Sequence, residues 1–94
     1  MQKQVQQQAT ITIEFEVPCY VKFTDKVLYK IIDEKKIITV KTFGFTTSIQ
    51  VEDFDQVNPF RNNGWEFTTE EEYLKAENKA LLTIGEYANF PEVV

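Results

Sequence analysis

The sequence predicts an α+β fold, in which a strongly bent antiparallel sheet of about five strands plus a short hairpin packs on one C-terminal helix. Three observations support this prediction. Residues 9–51 alternate apolar and polar side chains, which is the pattern of half-buried antiparallel strands. The dipeptide Asn-Gly at 63–64 is a hairpin turn signal, and residues 69–88 repeat apolar side chains at helical spacing. Because 94 residues suit one hydrophobic core, we expect a single domain over residues 1–94.

The predicted strands follow a Gln-rich N-terminal extension at residues 1–8. The run ATITIEFEV alternates strictly, and Pro18 then breaks the ladder before CYVKF. The run VLYKIIDEKKIITVK predicts a hairpin whose four-residue loop places Ile32 opposite Ile37. The last run, FGFTTSIQV, alternates with the other parity, so we expect a turn or bulge near residues 42–44.

The short hairpin is predicted at residues 59–67, after a segment, EDFDQV, that has the spacing of one helical turn. The Asn-Gly at 63–64 favours a type I′ turn, in which both central residues have positive φ. Pairing across that turn sets Phe60 opposite Phe67. Trp65 then shares a face with both rings, so we expect it to lie in the core rather than in a binding loop.

The C-terminal helix has two possible capping boxes, Thr68 with Glu71 or Thr69 with Glu72, and both remain open. Glu77 lies within its apolar arc, so this carboxylate needs a partner such as a tyrosine hydroxyl or a lysine of the sheet. The arc is expected to pack on the sheet and contains Tyr73, Leu74, Ala76, Ala80, Leu81, Ile84, Tyr87 and Ala88.

Charge is distributed unevenly along the chain. Residues 1–50 carry seven basic and five acidic side chains, for +2, whereas residues 51–94 carry three basic and ten acidic, for −7. Binding to nucleic acid needs clustered basic side chains that displace counterions from phosphates, and the basic residues here are dispersed. We therefore expect a protein partner, whether self or heterologous, and regard nucleic acid as an improbable one.

Catalytic chemistry has little support in the sequence. The chain has no histidine, so the usual general base near neutral pH is missing and neither Cys19 nor Ser48 can join a histidine-based triad. We expect no catalytic residues, no cofactor and no enzyme activity.

Metal binding is also poorly supported. Glu52, Asp53 and Asp55 form an acidic cluster, and oxygen ligands suit calcium or magnesium. The calcium-binding helix-loop-helix motif fails, however, because Val57 and Asn58 occupy positions that need an oxygen donor and a glycine. A solvated acidic turn is the preferred interpretation, and no metal site is predicted.

An uncovered apolar sheet face is the most function-like prediction. The hairpin register places Leu28, Ile32 and Ile37 on the outward face, and one helix cannot cover both sides of a sheet. A curl into a barrel, a second copy or another protein must then cover this face. Together with the apolar residues, the candidate interaction surface includes the acidic residues Glu52, Asp53, Asp55, Glu70, Glu71 and Glu72.

The expected function is therefore a small, non-catalytic interaction or assembly protein, of the kind found among viral or mobile-element accessory proteins. It would act through the apolar sheet face and the acidic helix-side surface. Two alternatives remain: an acidic inhibitor that mimics nucleic acid, and a barrel that binds a small ligand or a single strand. With one cysteine and no membrane-length apolar run, we expect no membrane association and a cytoplasmic location, or a virion-associated one if the protein is viral.

Overall fold

The computed structural model describes residues 2–6, 10–61 and 63–88, and it confirms the predicted α+β fold. Five antiparallel strands form the main sheet and one long helix follows them near the C-terminus. The elements are β1 Gln2–Gln6, β2 Thr10–Glu14, β3 Cys19–Thr24, β4 Val27–Ile31, β5 Lys36–Lys41, β6 Ser48–Asp53, α1 Phe54–Val57, β7 Glu66–Phe67 and α2 Glu70–Ala88, with 3₁₀ turns at Gly44–Thr46 and Pro59–Arg61.

The main sheet has the strand order β6-β5-β4-β3-β7, so β6 and β7 are its edges. β1 and β2 form a separate two-stranded sheet, in which Gln2 pairs with Glu14. The first predicted strand therefore does not join the main sheet, and β7 supplies its fifth strand. Because the sheet is open rather than closed, the barrel that we considered as an alternative does not form.

The β4–β5 hairpin has a register different from the predicted one. Ile31 pairs with Ile37, so five residues, 32–36, separate the last paired residues instead of the predicted four. The Asp33 carboxylate holds this loop, since its Oδ1 accepts the backbone N–H of Lys35 at 2.7 Å and that of Lys36 at 2.9 Å. A shift of one residue turns every side chain of a strand to the opposite face. Since Ile37 pairs with Ile31, the predicted pairing of Ile32 with Ile37 is wrong.

Both faces of the main sheet are covered within this one chain. On one face, Val21, Ile31 and Ile37 pack with the buried rings of Phe54 and Phe60 in the larger core cluster. We call this the loop-side face, because the rings that cover it come from segments outside the main sheet. Phe15, which follows β2, and the half-buried Trp65 complete the cover.

The second face lies under α2, and we call it the helix-side face. Leu28 and Val40 pack there against the fully buried side chains of Tyr73 and Ala80. Leu28 is 3% exposed and Ile37 is 0% exposed, so the prediction that they lie on an uncovered face is wrong. The rings of Phe15, Phe54 and Phe60 cover the loop-side face, which the single helix α2 does not reach.

The predicted hairpin at residues 59–67 is replaced by a different local structure. Its first arm is the 3₁₀ turn Pro59–Arg61, and its second arm, β7, pairs with β3 through Phe67 and Val21. Gly64 has φ 93°, the positive value that the predicted turn requires at its second central residue. The predicted neighbourhood of Phe60 and Trp65 is nevertheless present, with ring centroids 4.7 Å apart.

The start of α2 forms one half of the second predicted capping box. Thr69 Oγ1 accepts the backbone N–H of Glu72 at 3.2 Å, as expected for a residue that caps the helix N-terminus. The Glu72 carboxylate does not return to the Thr69 backbone. It accepts hydrogen bonds from the hydroxyl of Thr68 and from the ammonium of Lys22, the latter at 3.3 Å. The bond from Lys22 links the helix start to β3.

Candidate functional site

The main candidate site is an exposed apolar patch where the last turns of α2 pass over the 3₁₀ turn Gly44–Thr46. The Phe45 ring packs edge to face on the Tyr87 ring, with centroids 5.3 Å apart and an interplanar angle of 82°. Together with Ile84, these two rings line a shallow groove. We call Phe45, Leu81, Ile84 and Tyr87 the helix-end patch, because Leu81 lies three residues before Ile84 on the same side of the helix.

The helix-end patch is open to solvent despite its apolar character. Phe45 is 82% exposed, and Leu81, Ile84 and Tyr87 are also exposed. Single exposed hydrophobic residues are ordinary, but a contiguous group of them indicates a surface for a partner. The two aromatic rings are suited to this role, since large rigid side chains dominate binding energy at protein interfaces.

The turn at Gly44 explains why Phe45 is exposed. Gly44 has φ 56°, a backbone conformation that favours glycine, and the 3₁₀ turn closes with Thr47 N–H donating to the Gly44 carbonyl at 3.1 Å. The strand therefore begins only at Ser48. The predicted continuous alternation through Phe45 is wrong, although the predicted turn near residues 42–44 is present. The predicted turn was the sequence signal that Phe45 lies outside the strand.

The acidic residues of the predicted interaction surface fall into two groups that the fold does not bring together. Glu52 and Asp53 end β6 at one edge of the sheet, and Asp55 follows in α1. Glu70 and Glu72 begin α2 beside β3. β6 and β3 are three strand spacings apart in the sheet order, or roughly 14 Å at the usual interstrand distance. A single acidic surface of all six predicted residues is therefore not formed.

Several of these acids already have basic partners. Asp53 lies 2.6 Å from Lys36 Nζ, and this hydrogen bond raises the pKa of the lysine. Hydrogen bonds from Thr68 and then Lys22 lower the pKa of the Glu72 carboxyl. Glu71 forms a further pair with Lys75 at 3.6 Å, one helical turn away. Three of the six predicted acids, Asp53, Glu71 and Glu72, are therefore ion-paired within the chain.

Ile32 is the one apolar residue of the predicted surface that is accessible. It is 39% exposed in the β4–β5 loop, whereas its predicted companions Leu28 and Ile37 lie in two different core clusters on opposite faces. The predicted apolar sheet face is consequently not a site. The exposed apolar side chains belong instead mainly to loops, to α2 and to the edge of the sheet.

Cys19 and Glu77, two of the residues considered for catalysis, are both at least partly buried. Burial raises the pKa of the Cys19 thiol, which disfavours the nucleophilic thiolate. Glu77 is half-buried beside Tyr73, and the pKa of this phenol is raised by burial first and by Glu77 second. The Tyr73 hydroxyl nonetheless lacks a hydrogen bond of acceptable geometry. Across residues 2–6, 10–61 and 63–88, acidic and thiol side chains form no group suited to holding a metal ion.

The edge strand β6 presents a second exposed feature that the sequence did not single out. Val51 is 65% exposed on the helix-side face, and the neighbouring Gln50 is exposed on the other face. β5 occupies one side of β6, and no other strand in the described part of the chain pairs with its outer side.

Comparisons with known proteins found no matching family model, curated protein or solved structure. Among the described residues, no helix is long and apolar enough to cross a membrane.

Proposed function

We propose that this chain is a small, non-catalytic interaction protein that binds another protein through the helix-end patch. The observation that carries the proposal is the contact of two exposed rings, Phe45 and Tyr87, from elements far apart in the sequence. Packing against each other fixes both rings before a partner arrives. An anchor that is already ordered loses less conformational entropy on binding than a mobile side chain does.

The negative charge at the start of α2 supports a protein partner with a basic rim. Glu70 and Glu71 are exposed, and both side chains of the Glu71–Lys75 ion pair are accessible to solvent. Surface charges of this kind act mainly on the association rate and on the choice of partner. An inhibitor that mimics nucleic acid would need one continuous acidic surface, so this alternative has less support than the apolar patch.

The proposal includes a cytoplasmic location. The lone cysteine is buried and has no disulfide partner, which suits a reducing compartment.

A comparison of variants in the host cell tests the proposal. Tagged wild type, Phe45→Ser and Leu82→Ser are recovered with their bound proteins, and these are quantified by mass spectrometry. Leu82 is the matched control, since it is 71% exposed on α2 but faces away from the sheet. We expect the same partner with wild type and Leu82→Ser, and a loss of at least about tenfold in affinity for Phe45→Ser, as for an interface anchor.

The affinity difference is then measured by calorimetry with the purified partner. Equal binding of wild type and Phe45→Ser would contradict the proposal. Equal loss with Leu82→Ser would show that general surface hydrophobicity, rather than the helix-end patch, is responsible.

A further inference from the structure

The outer side of β6 is a free sheet edge. β6 runs from Ser48 to Asp53 and pairs along its whole length with β5, without a bulge. The opposite edge, β7, has only two residues. A strand edge presents unpaired N–H and C=O groups, which are a template for another strand. Within residues 2–6, 10–61 and 63–88, no second strand occupies this position.

The middle of β6 has few of the features that usually protect an edge. Natural edges are blunted by lysine, proline, bulges or inward-pointing charge. The middle of β6 is Ile49-Gln50-Val51, without charge or proline, and its acidic residues stand only at the end. Val51, moreover, exposes 65% of its surface. An edge whose central residues are uncharged in this way is suited to pairing, although Glu52 and Asp53 end it with charge.

We propose that two copies of this chain pair through β6 in antiparallel orientation, about a two-fold axis that passes between the two Gln50 residues. Such a pairing joins the two five-stranded sheets into one continuous sheet of ten strands, and places both α2 helices on the same side of it. The proposed dimer is argued from β6 rather than from the helix-end patch, and it goes beyond the proposed function.

Side-chain direction limits the possible registers. Residues directly opposite each other in an antiparallel pair point to the same face. A two-fold axis normal to the sheet must therefore pass midway between one residue and the same residue of the second copy. With Gln50 at the axis, Ile49 faces Val51 of the second copy on the helix-side face. Ser48 then faces Glu52 of the second copy on the loop-side face. Apolar residues meet apolar residues, and no like charges oppose each other.

The neighbouring registers are less favourable. With Val51 at the axis, Ile49 would face Asp53 and Gln50 would face Glu52, so an apolar residue would oppose a charge. With Ile49 at the axis, β6 would overlap its copy only from Ser48 to Gln50, because the strand begins at Ser48. Charge and length together select the register centred on Gln50.

Charge substitutions at Gln50 test both the dimer and its register. Gln50 is exposed, so a charge there is compatible with the folded monomer. In the proposed dimer, Gln50→Lys places two ammonium groups opposite each other, and Gln50→Glu places two carboxylates opposite each other. We expect each variant to self-associate a few fold more weakly than wild type, and an equimolar mixture of the two to associate more strongly than either variant alone. Gln56→Lys, an exposed control outside β6, should behave as wild type.

Sedimentation velocity over a range of concentrations gives the measurement. Wild type should approach twice the chain mass of 11.0 kDa as the concentration rises. Circular dichroism and Trp65 emission verify that each variant is folded. A wild type that stays monomeric at every concentration, a dimer as strong in both Gln50 variants as in wild type, or a mixture that associates no better than either variant would each overturn the proposal. Phe45→Ser should remain dimeric, so failure of this inference and failure of the proposed function are distinguishable.

Discussion

Ile31 and Ile37 pair directly across the β4–β5 hairpin, and both are fully buried on the loop-side face. Ile32, the next residue along the chain, lies instead in the exposed loop. This register decides the location of every side chain in β5, because adjacent residues of a strand point to opposite faces. The alternative register, with Ile32 opposite Ile37, would have placed both side chains on the outward face of the sheet.

The register predicts that substitutions of Ile37 and Ile32, two isoleucines of the hairpin, differ in their effect on stability. Ile37→Ala should lower the free energy of unfolding by about 2–5 kcal/mol, because it leaves a cavity in the core. Ile32→Ala, the matched control, should cost less than about 1 kcal/mol, since Ile32 is partly exposed in a loop. Urea denaturation followed by Trp65 fluorescence measures both. Similar losses for the two variants would support the register in which Ile32 pairs with Ile37.

The cap of α2 predicts opposite effects for two threonines. Thr69→Ala should cost about 1 kcal/mol, because Thr69 Oγ1 accepts the backbone N–H of Glu72 at the helix start. Thr83→Ala should be neutral or slightly stabilising, because the Thr83 hydroxyl only bonds back to the Lys79 carbonyl within the helix, where alanine is the better helix former. Thermal and urea unfolding give the comparison. A larger loss for Thr83→Ala than for Thr69→Ala would contradict the capping role of Thr69.

The buried Tyr73 hydroxyl predicts a tolerant substitution near neutral pH. It lacks a hydrogen bond of acceptable geometry, so Tyr73→Phe should change the free energy of unfolding by no more than about 1 kcal/mol. Tyr73→Ala, by comparison, should cost about 3–5 kcal/mol, because it empties a fully buried ring site between the sheet and α2. A severe loss for Tyr73→Phe would reveal a hydrogen bond from this hydroxyl, for which Glu77 is the candidate acceptor.

Alkaline pH extends the test of Tyr73. Burial raises the pKa of its phenol in the folded chain above the ordinary value of about 10. The folded state therefore holds this proton more tightly, so the stabilisation is complete below about pH 10 and is lost as pH rises further. Stability should fall above that pH, and less steeply in Tyr73→Phe. Tyr20 and Tyr29 also have raised pKa values, so part of the decline should remain.

The Asp33 loop predicts an acid-dependent effect. The backbone N–H groups of Lys35 and Lys36 hold the pKa of the Asp33 carboxyl below its usual range. Because the folded pKa is lowered, the stabilisation is present above the ordinary value of about 3.9 and is lost as pH falls through the folded value. Asp33→Ala should therefore lower the melting temperature at neutral pH, and the difference from wild type should shrink in acid.

The Asp33→Asn variant is the control, because its amide oxygen can accept the same N–H groups without a charge. It should melt between wild type and Asp33→Ala at neutral pH. A difference between wild type and Asp33→Ala that is constant from neutral to acid pH would show that the charge of Asp33 does not stabilise the loop.

The sequence by itself determined the elements whose signals are local. Alternation predicted most of the strands and the spacing of apolar residues predicted α2, while of the two possible capping threonines Thr69 caps the helix start. The turn near residue 44 and the contact between Phe60 and Trp65 were also predicted correctly. These features depend on side-chain periodicity and backbone preference over a few residues, which a single sequence displays directly.

Only the tertiary structure decided how the two sides of the sheet are covered and which apolar residues remain exposed. The register of Ile31 and Ile37 depends on a one-residue difference in loop length, and both possible registers present a plausible apolar face. The cover of the loop-side face comes from Phe15, Phe54 and Phe60, which are brought together from distant segments. Their meeting is set by the total free energy of packing, and this quantity depends on the whole chain rather than on any local pattern.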